Sequence, residues 1–231
     1  MANMDIWLLT ALIIISIVAL LFGLFIYCGR FNRADWGGVW INRLDGLNRL
    51  FCHRFHRLSY TEIPLPEQGG ALVVCNHVSG LDPLLMIAAC NRPLRFMIAR
   101  EEYERFGFTW LFKGIGCIPV ERTARPEKAL REALKVINNG EVVAMFPHGR
   151  IHTETFPPRK LKAGVHWLAQ QTQAPILPLR LTGVGGEGRT VTALLIRSNA
   201  KLQAGELMDV TSMEKEACMD HISLFFHGTL H

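Results

Sequence analysis

The apolar positions of this chain follow three different rhythms. Residues 6–28 are an almost wholly apolar run without a single charge. As a helix, those residues would extend about 35 Å, enough to cross a hydrocarbon core of about 30 Å. Next, Trp36, Trp40, Leu44, Leu47, Phe51, Phe55 and Leu58 recur at steps of three and four. That spacing predicts one apolar face on a helix over residues 35–59, with Arg43, Arg49, Arg54 and Arg57 off the stripe. Such a face suits either a bilayer interface or packing on a domain core or coiled coil. Tryptophans with a basic flank, directly after an apolar run, favour the interface. Gly37, Gly38 and Gly46 weaken the helix.

Beyond Pro64, Pro66, Gly69 and Gly70, which read as a linker, the rhythm becomes an alternation of short apolar runs and longer amphipathic stretches. Strands are predicted at 71–75, 94–99, 116–120, 141–146, 175–181 and 190–196. Helices are predicted from Asp82, at 101–112, at 126–138 and at 162–173, with a helical tail after Thr211. The stretch 126–138 carries Leu130, Ala133, Leu134 and Ile137 on one face and stops at Gly140. Alternation of this kind predicts an α/β fold: a mixed, largely parallel sheet flanked by helices, with an N-terminal transmembrane helix and an interfacial helix. The expected organisation is a membrane anchor over residues 1–30, an amphipathic interfacial helix over 31–60 and a catalytic domain over 71–231.

The charges set an orientation. No Lys or Arg precedes the apolar run, which speaks for an uncleaved anchor over a cleaved signal peptide. Arg30, Arg33, Arg43, Arg49, Arg54 and Arg57 follow it closely. The positive-inside rule then predicts a single-pass membrane protein with its bulk on the cytoplasmic face. Six scattered cysteines without a CxxC pair fit a reducing compartment. The net charge is +5, and no nucleic-acid motif accompanies it. An anionic leaflet and phosphorylated lipids are the partners that charge predicts.

Candidate chemistry begins at the first strand of the domain. Residues 71–83 read ALVVCNHVSGLDP, a strand, a turn around Gly80 and a helix start. Asp82 followed by Pro83 has the pattern of an N-cap and a first helical residue. His77 falls on the loop, where a scaffold often displays a reactive side chain. The five-residue offset can return the Asp82 carboxylate to the imidazole, fixing its tautomer and leaving the other nitrogen to accept a proton. The plainer reading is a capping Asp82 and a loop histidine without a task. Three further basic stretches follow predicted strands: GCIPVER (116–122), FPHGR (146–150) and PPRKLKAG (157–164). Arg122, Arg150, Arg159, Lys160 and Lys162 would then gather near one sheet edge, suited to a phosphate.

In this order and spacing the motifs resemble the glycerolipid acyltransferases, whose best-known members are the lysophosphatidate acyltransferases. NHVSGLD matches the family's Asn-His-x-x-x-x-Asp block, and GCIPVER its Gly-x-Ile-x-x-x-Arg block. FPHGR stands in the place of the Phe-Pro-Glu-Gly-Thr-Arg block, and LKAGVHWLA with APILPL in that of the fourth. The resemblance covers about residues 71–182. It implies transfer of a fatty acyl group from acyl-CoA or acyl carrier protein to a lysophospholipid, in phospholipid biosynthesis, without metal or other cofactor. It implies His77 as base, Asp82 as its partner, and substrate contacts from Arg122, His148, Gly149, Arg150 and Lys162. His148 replaces a family glutamate, and Arg150 precedes Ile151 where Thr-Arg is usual. The altered block leaves the acceptor lipid open. It also keeps in view two alternatives: an inactive homologue that binds anionic lipid, and an acyl-thioester hydrolase.

Overall fold

A computed structural model describes residues 2–121, 126–153, 160–211 and 213–229. The first helix, α1 (Ala2–Cys28), is exposed from Ile6 to Leu24. Ile6–Phe31 is long and apolar enough to cross a membrane, and its most apolar 18-residue window is not enclosed by the rest of the chain. A 3₁₀ turn leads to α2 (Val39–Arg54).

The sheet has seven strands in the order β1-β7-β6-β2-β5-β3-β4. These are β1 (Ser59–Tyr60), β2 (Ala71–Cys75), β3 (Leu94–Ala99), β4 (Ile118–Val120), β5 (Val142–Met145), β6 (Ile176–Thr182) and β7 (Lys201–Ala204). All neighbours pair in parallel except β6 with β7. β2 is the middle strand and every residue of it is buried. Its side chains alternate between two cores. Ala71, Val73 and Cys75 face a layer containing α2 and α3 (Asp82–Ala89). Leu72 and Val74 face α6 (Glu127–Asn138), α7 (Gly164–Thr172) and α8 (Lys215–His227). A strand covered on both faces needs apolar residues at every position, which explains the uninterrupted ALVVC run.

Four local expectations give way to the structure. The stretch 101–112 is two short helices, α4 (Arg100–Tyr103) and α5 (Thr109–Gly114), separated at Gly107 with φ +85°. Residues 190–196 are no strand but a 3₁₀ turn, Val191–Leu195, with Leu195 81% exposed. Asp82 is not the N-cap: the helix starts on it after Leu81, and its carboxylate turns away from the helix.

The fourth concerns α2. It starts only after Gly37, at φ +82°, and Gly38, so Trp36 lies before it. Its buried residues are Asp45, Gly46, Arg49 and Cys52 rather than the aromatic stripe. Arg49 is paired with Asp45 at 2.6 Å and donates to the carbonyls of Ala88 and Cys90 at the end of α3. A guanidinium suits that place, because the C-terminal carbonyls of a helix lack partners of their own. Trp40 and Leu47, on the stripe, stay exposed.

Candidate active site

The site is built where β2 and β5 end side by side. Their register pairs Val74 with Met145, so both chains leave the sheet at one level. Asn76 extends the ladder one step further. Its side-chain amide donates to the Leu181 carbonyl at 2.9 Å and accepts from the Leu181 N–H at 2.7 Å. His77 then begins the turn.

The turn is organised around Asp82. Oδ2 accepts from the Val78 N–H at 2.7 Å and the Ser79 N–H at 2.9 Å, and Oδ1 accepts from the Ser79 hydroxyl at 3.1 Å. His77 Nδ1 lies 2.8 Å from Oδ2. A carboxylate oxygen accepts, so Nδ1 carries the hydrogen and the Nε2 lone pair stays available. Asp82 is fully buried, whereas the His77 side chain keeps 16% exposure. The pair thus has an enclosed acid and an accessible base.

Neighbouring loops hold the turn. Gly80 donates to the Arg189 carbonyl at 2.9 Å, and Gly188 donates to the Val78 carbonyl at 2.8 Å. A Cβ on Gly80 would come within 2.5 Å of the Thr190 carbonyl oxygen, so a larger residue there must displace backbone. From the β5 side, the His152 N–H donates to the His77 carbonyl at 2.6 Å. The Phe146 ring stacks on the imidazole at 4.0 Å between centroids.

The expected substrate residues divide. His148, Gly149 and Arg150 lie on the turn directly after β5, next to the His77 loop. His148 is buried, with its ring stacked on that of His152 at 4.7 Å. Gly149 has φ +75°, and the Lys162 ammonium lies 2.6 Å from where its Cβ would be. Lys162 is tied to the same turn by its N–H, which donates to the Pro147 carbonyl at 2.9 Å. Arg150 and Lys162 are both exposed. Arg122 and Arg159 lie outside the described residues. Arg100 and Glu121, just past the ends of β3 and β4, form an ion pair.

Three contributors escaped the sequence reading. Phe146 acts through a strand neighbourhood that only the sheet order reveals. Asn76 belongs to the recognised block, but its clamp on β6 spans 105 positions. Arg189 reaches the turn through a glycine-rich loop, whose composition signals only a loop. Cys75, next to the site, is pushed well up by burial and then by the Asp82 charge, which suppresses its thiolate. Among the described residues, no three or more His, Cys, Asp or Glu side chains gather in a way that could hold a metal ion.

The family model described as Acyltransferase matches residues 57–182, just over half of the chain, including the His77–Asp82 turn and the turn after β5. The chain belongs to the Acyltransferase family. Acyltransferase relatives include the 1-acyl-sn-glycerol-3-phosphate acyltransferase of Bacillus subtilis (strain 168), 26% identical over 54% of this chain and 61% of that one. The protein of the same name from Streptococcus pneumoniae (strain ATCC BAA-255 / R6) is 23% identical over 62% of this chain and 52% of that one. The chain thus spans only about half to three-fifths of these curated relatives. The crystal structure of the 1-acyl-sn-glycerophosphate (LPA) acyltransferase PlsC from Thermotoga maritima shares the acyltransferase fold. It superposes with a TM-score of 0.65 over 82% of this chain and 78% of that one, at 19% identity.

Proposed function

We propose that the chain is a membrane-anchored acyltransferase that moves a fatty acyl group from a thioester, on coenzyme A or acyl carrier protein, to a lysophosphatidate-like lysophospholipid. The observation that carries this reading is the His77–Asp82 pair, 2.8 Å apart, with a buried acid and an accessible imidazole. The names of the Bacillus and Streptococcus relatives support the lysophosphatidate class.

The reaction follows from that geometry. Nε2 of His77 takes the proton of the acceptor hydroxyl as its oxygen attacks the thioester carbonyl carbon. The C–O bond forms, the tetrahedral intermediate collapses and the C–S bond breaks. The departing thiolate takes the proton back from the imidazolium. Asp82 holds the ring and stabilises its positive charge while the proton is there. No covalent enzyme intermediate is required, so Ser79 and Cys75 take no nucleophilic part.

Arg122 is the proposed principal contact for the acceptor phosphate. Arg150 and Lys162, with the turn of His148 and Gly149, form a second cationic wall. His148 is a weak counterpart for a glutamate, so a head group other than phosphate is the variant reading. α1 is the proposed anchor, with α2 along the interface and the domain on the cytoplasmic face, supported by the arginines that follow the apolar run.

The test uses purified protein in mixed micelles, each thioester donor and a panel of lysolipids, with free thiol as the readout. Release that depends on lysophosphatidate and yields the diacyl product supports the proposal. Release without any acceptor makes the protein a thioester hydrolase. No release with any pair leaves a lipid-binding homologue.

A further inference from the structure

Between β3 and β4 the chain leaves the sheet as α4, a loop and α5, and this excursion is apolar where it is most exposed. Phe106 is 99% exposed, Trp110 65% and Phe108 42%. Arg105 and Lys113 flank them, both exposed. Three exposed aromatic side chains within five positions are costly in water, since each ring offers a large apolar area.

The position of the excursion relative to α1 says what covers it. Trp110 lines an apolar crevice of ≈ 550 Å³ with Val18, Leu21 and Phe22 of α1 and Trp40 and Leu44 of α2. The upper rim of that crevice is marked by polar anchors. Phe25 stacks on Trp40 at 5.0 Å, and the Arg43 guanidinium lies 5.6 Å from the Phe25 ring. Trp and Arg are residues that settle at the boundary between headgroups and acyl chains. Phe22, Leu21 and Val18 lie three, four and seven residues further towards the N-terminal end of α1. At 1.5 Å per residue that is about 5–10 Å deeper than Phe25. If α1 crosses the bilayer, a side chain lining the same crevice lies between the headgroup boundary marked by Phe25 and Trp40 and the acyl-chain level of Val18.

The geometry points to a second membrane contact: the segment of residues 105–113 inserts Phe106, Phe108 and Trp110 into the leaflet beside α1. Bilayer acyl chains fill the crevice. Arg105 and Lys113 meet the anionic headgroups, and the domain is held by this segment in addition to α1 and α2. An anchor through α1 and α2 alone holds only the N-terminal side of the domain. A second contact fixes which face meets the lipid, and so how a lysolipid is presented to it. The inference rests on the proposed placement of α1, and the experiment separates the two.

The full chain supports site-specific labelling, because all six native thiols are buried. Three variants, Phe106→Cys, Ile17→Cys and Glu132→Cys, each carry an environment-sensitive fluorophore. They are reconstituted in vesicles of phosphatidylcholine and phosphatidylglycerol containing acyl-chain nitroxide lipids. Ile17 reports α1, and Glu132 reports α6 on the opposite side of the sheet. The expected result is blue-shifted emission and lipid quenching at residues 17 and 106, several-fold above that at 132, with aqueous iodide quenching only 132. Quenching at 17 with residue 106 as wet as 132 overturns the second contact alone. Water exposure at residue 17 overturns the anchor and this inference with it. A Phe106→Ser/Trp110→Ser chain supplies an independent reading. KM for a bilayer-presented acceptor should rise several-fold while turnover of a short-chain soluble acceptor is unchanged. Equal KM values contradict the proposal.

Discussion

The imidazole of His77 lies face to face with the ring of Phe146, centroids 4.0 Å apart and planes 15° from parallel. The two residues leave adjacent parallel strands at one level, so the contact follows from the pairing of β2 with β5. Asp82 fixes the ring at one nitrogen, and Phe146 fixes its plane. Together they leave the His77 side chain little freedom except at Nε2.

Phe146 is therefore a positioning residue. Replacing it with Leu keeps most of the buried volume but removes the flat surface. An aromatic pair contributes about 0.5–1.5 kcal/mol beyond its area, so a loss of order tenfold in kcat is expected with KM little changed. Phe146→Tyr should restore most of the rate. Steady-state thiol release by the three proteins measures the split. A Leu variant that raises KM alone would point to a role in substrate binding.

Asp82→Asn retains the shape of the side chain and reverses its chemistry. An amide presents a hydrogen-bond donor where Oδ1 or Oδ2 now only accepts, and one orientation opposes the N–H groups of Val78 and Ser79. It also no longer stabilises the imidazolium. The expected outcome is a fall of about 10²–10⁴ in kcat. Loss of the turn's acceptor should cost about 1–3 kcal/mol of stability as well, readable in denaturant unfolding.

Arg49 links α2 to the site from behind. It is buried with Asp45 and holds the carbonyls that end α3, the helix that begins at Asp82. Arg49→Met strands a buried carboxylate and should destabilise by about 3–5 kcal/mol. The double change Arg49→Met/Asp45→Leu removes the stranded charge and should recover a large part of that loss. Thermal unfolding of the three chains in detergent is the measurement.

The thiols make a prediction in pH. Burial pushes Cys52, Cys90 and Cys117 up to about 12, and Cys75 rises well above its ordinary value. In the unfolded chain these groups ionise near pH 8.5. From about that pH up to about 12 the native state retains protons that the unfolded state releases. Stability therefore falls as pH rises through that window, by up to about 1.4 kcal/mol per pH unit for each thiol. Alkylation at pH 8 should leave these four unreacted in the native protein and label them after unfolding. Rapid native labelling at Cys75 would contradict the burial described.

How much of this was legible depends on how local each cause is. β2 was legible because burial on both faces forces a continuous apolar run. The His77–Asp82 pair was legible because five residues across one turn leave few ways to close it. The role of Asp82 was only half legible: an aspartate before a proline has the same signature whether it caps a helix or receives an imidazole. Arg49 was read only as one of the arginines off the apolar stripe, since its partners include carbonyls 39 and 41 positions away. The apolar run at 190–196 suggested a strand, yet that segment supports the His77–Asp82 turn, where Thr190 abuts Gly80. Phe146 could not be paired with His77 from sequence, because strand order is set by packing of the whole sheet.

The central claim is that His77 is the base. Its most direct test is acceptor-dependent thiol release by the wild-type chain and by His77→Ala, with folding of both verified by circular dichroism. The account predicts a fall of about 10²–10⁴ in kcat for the folded variant. A folded His77→Ala chain that turns over at the wild-type rate would contradict it.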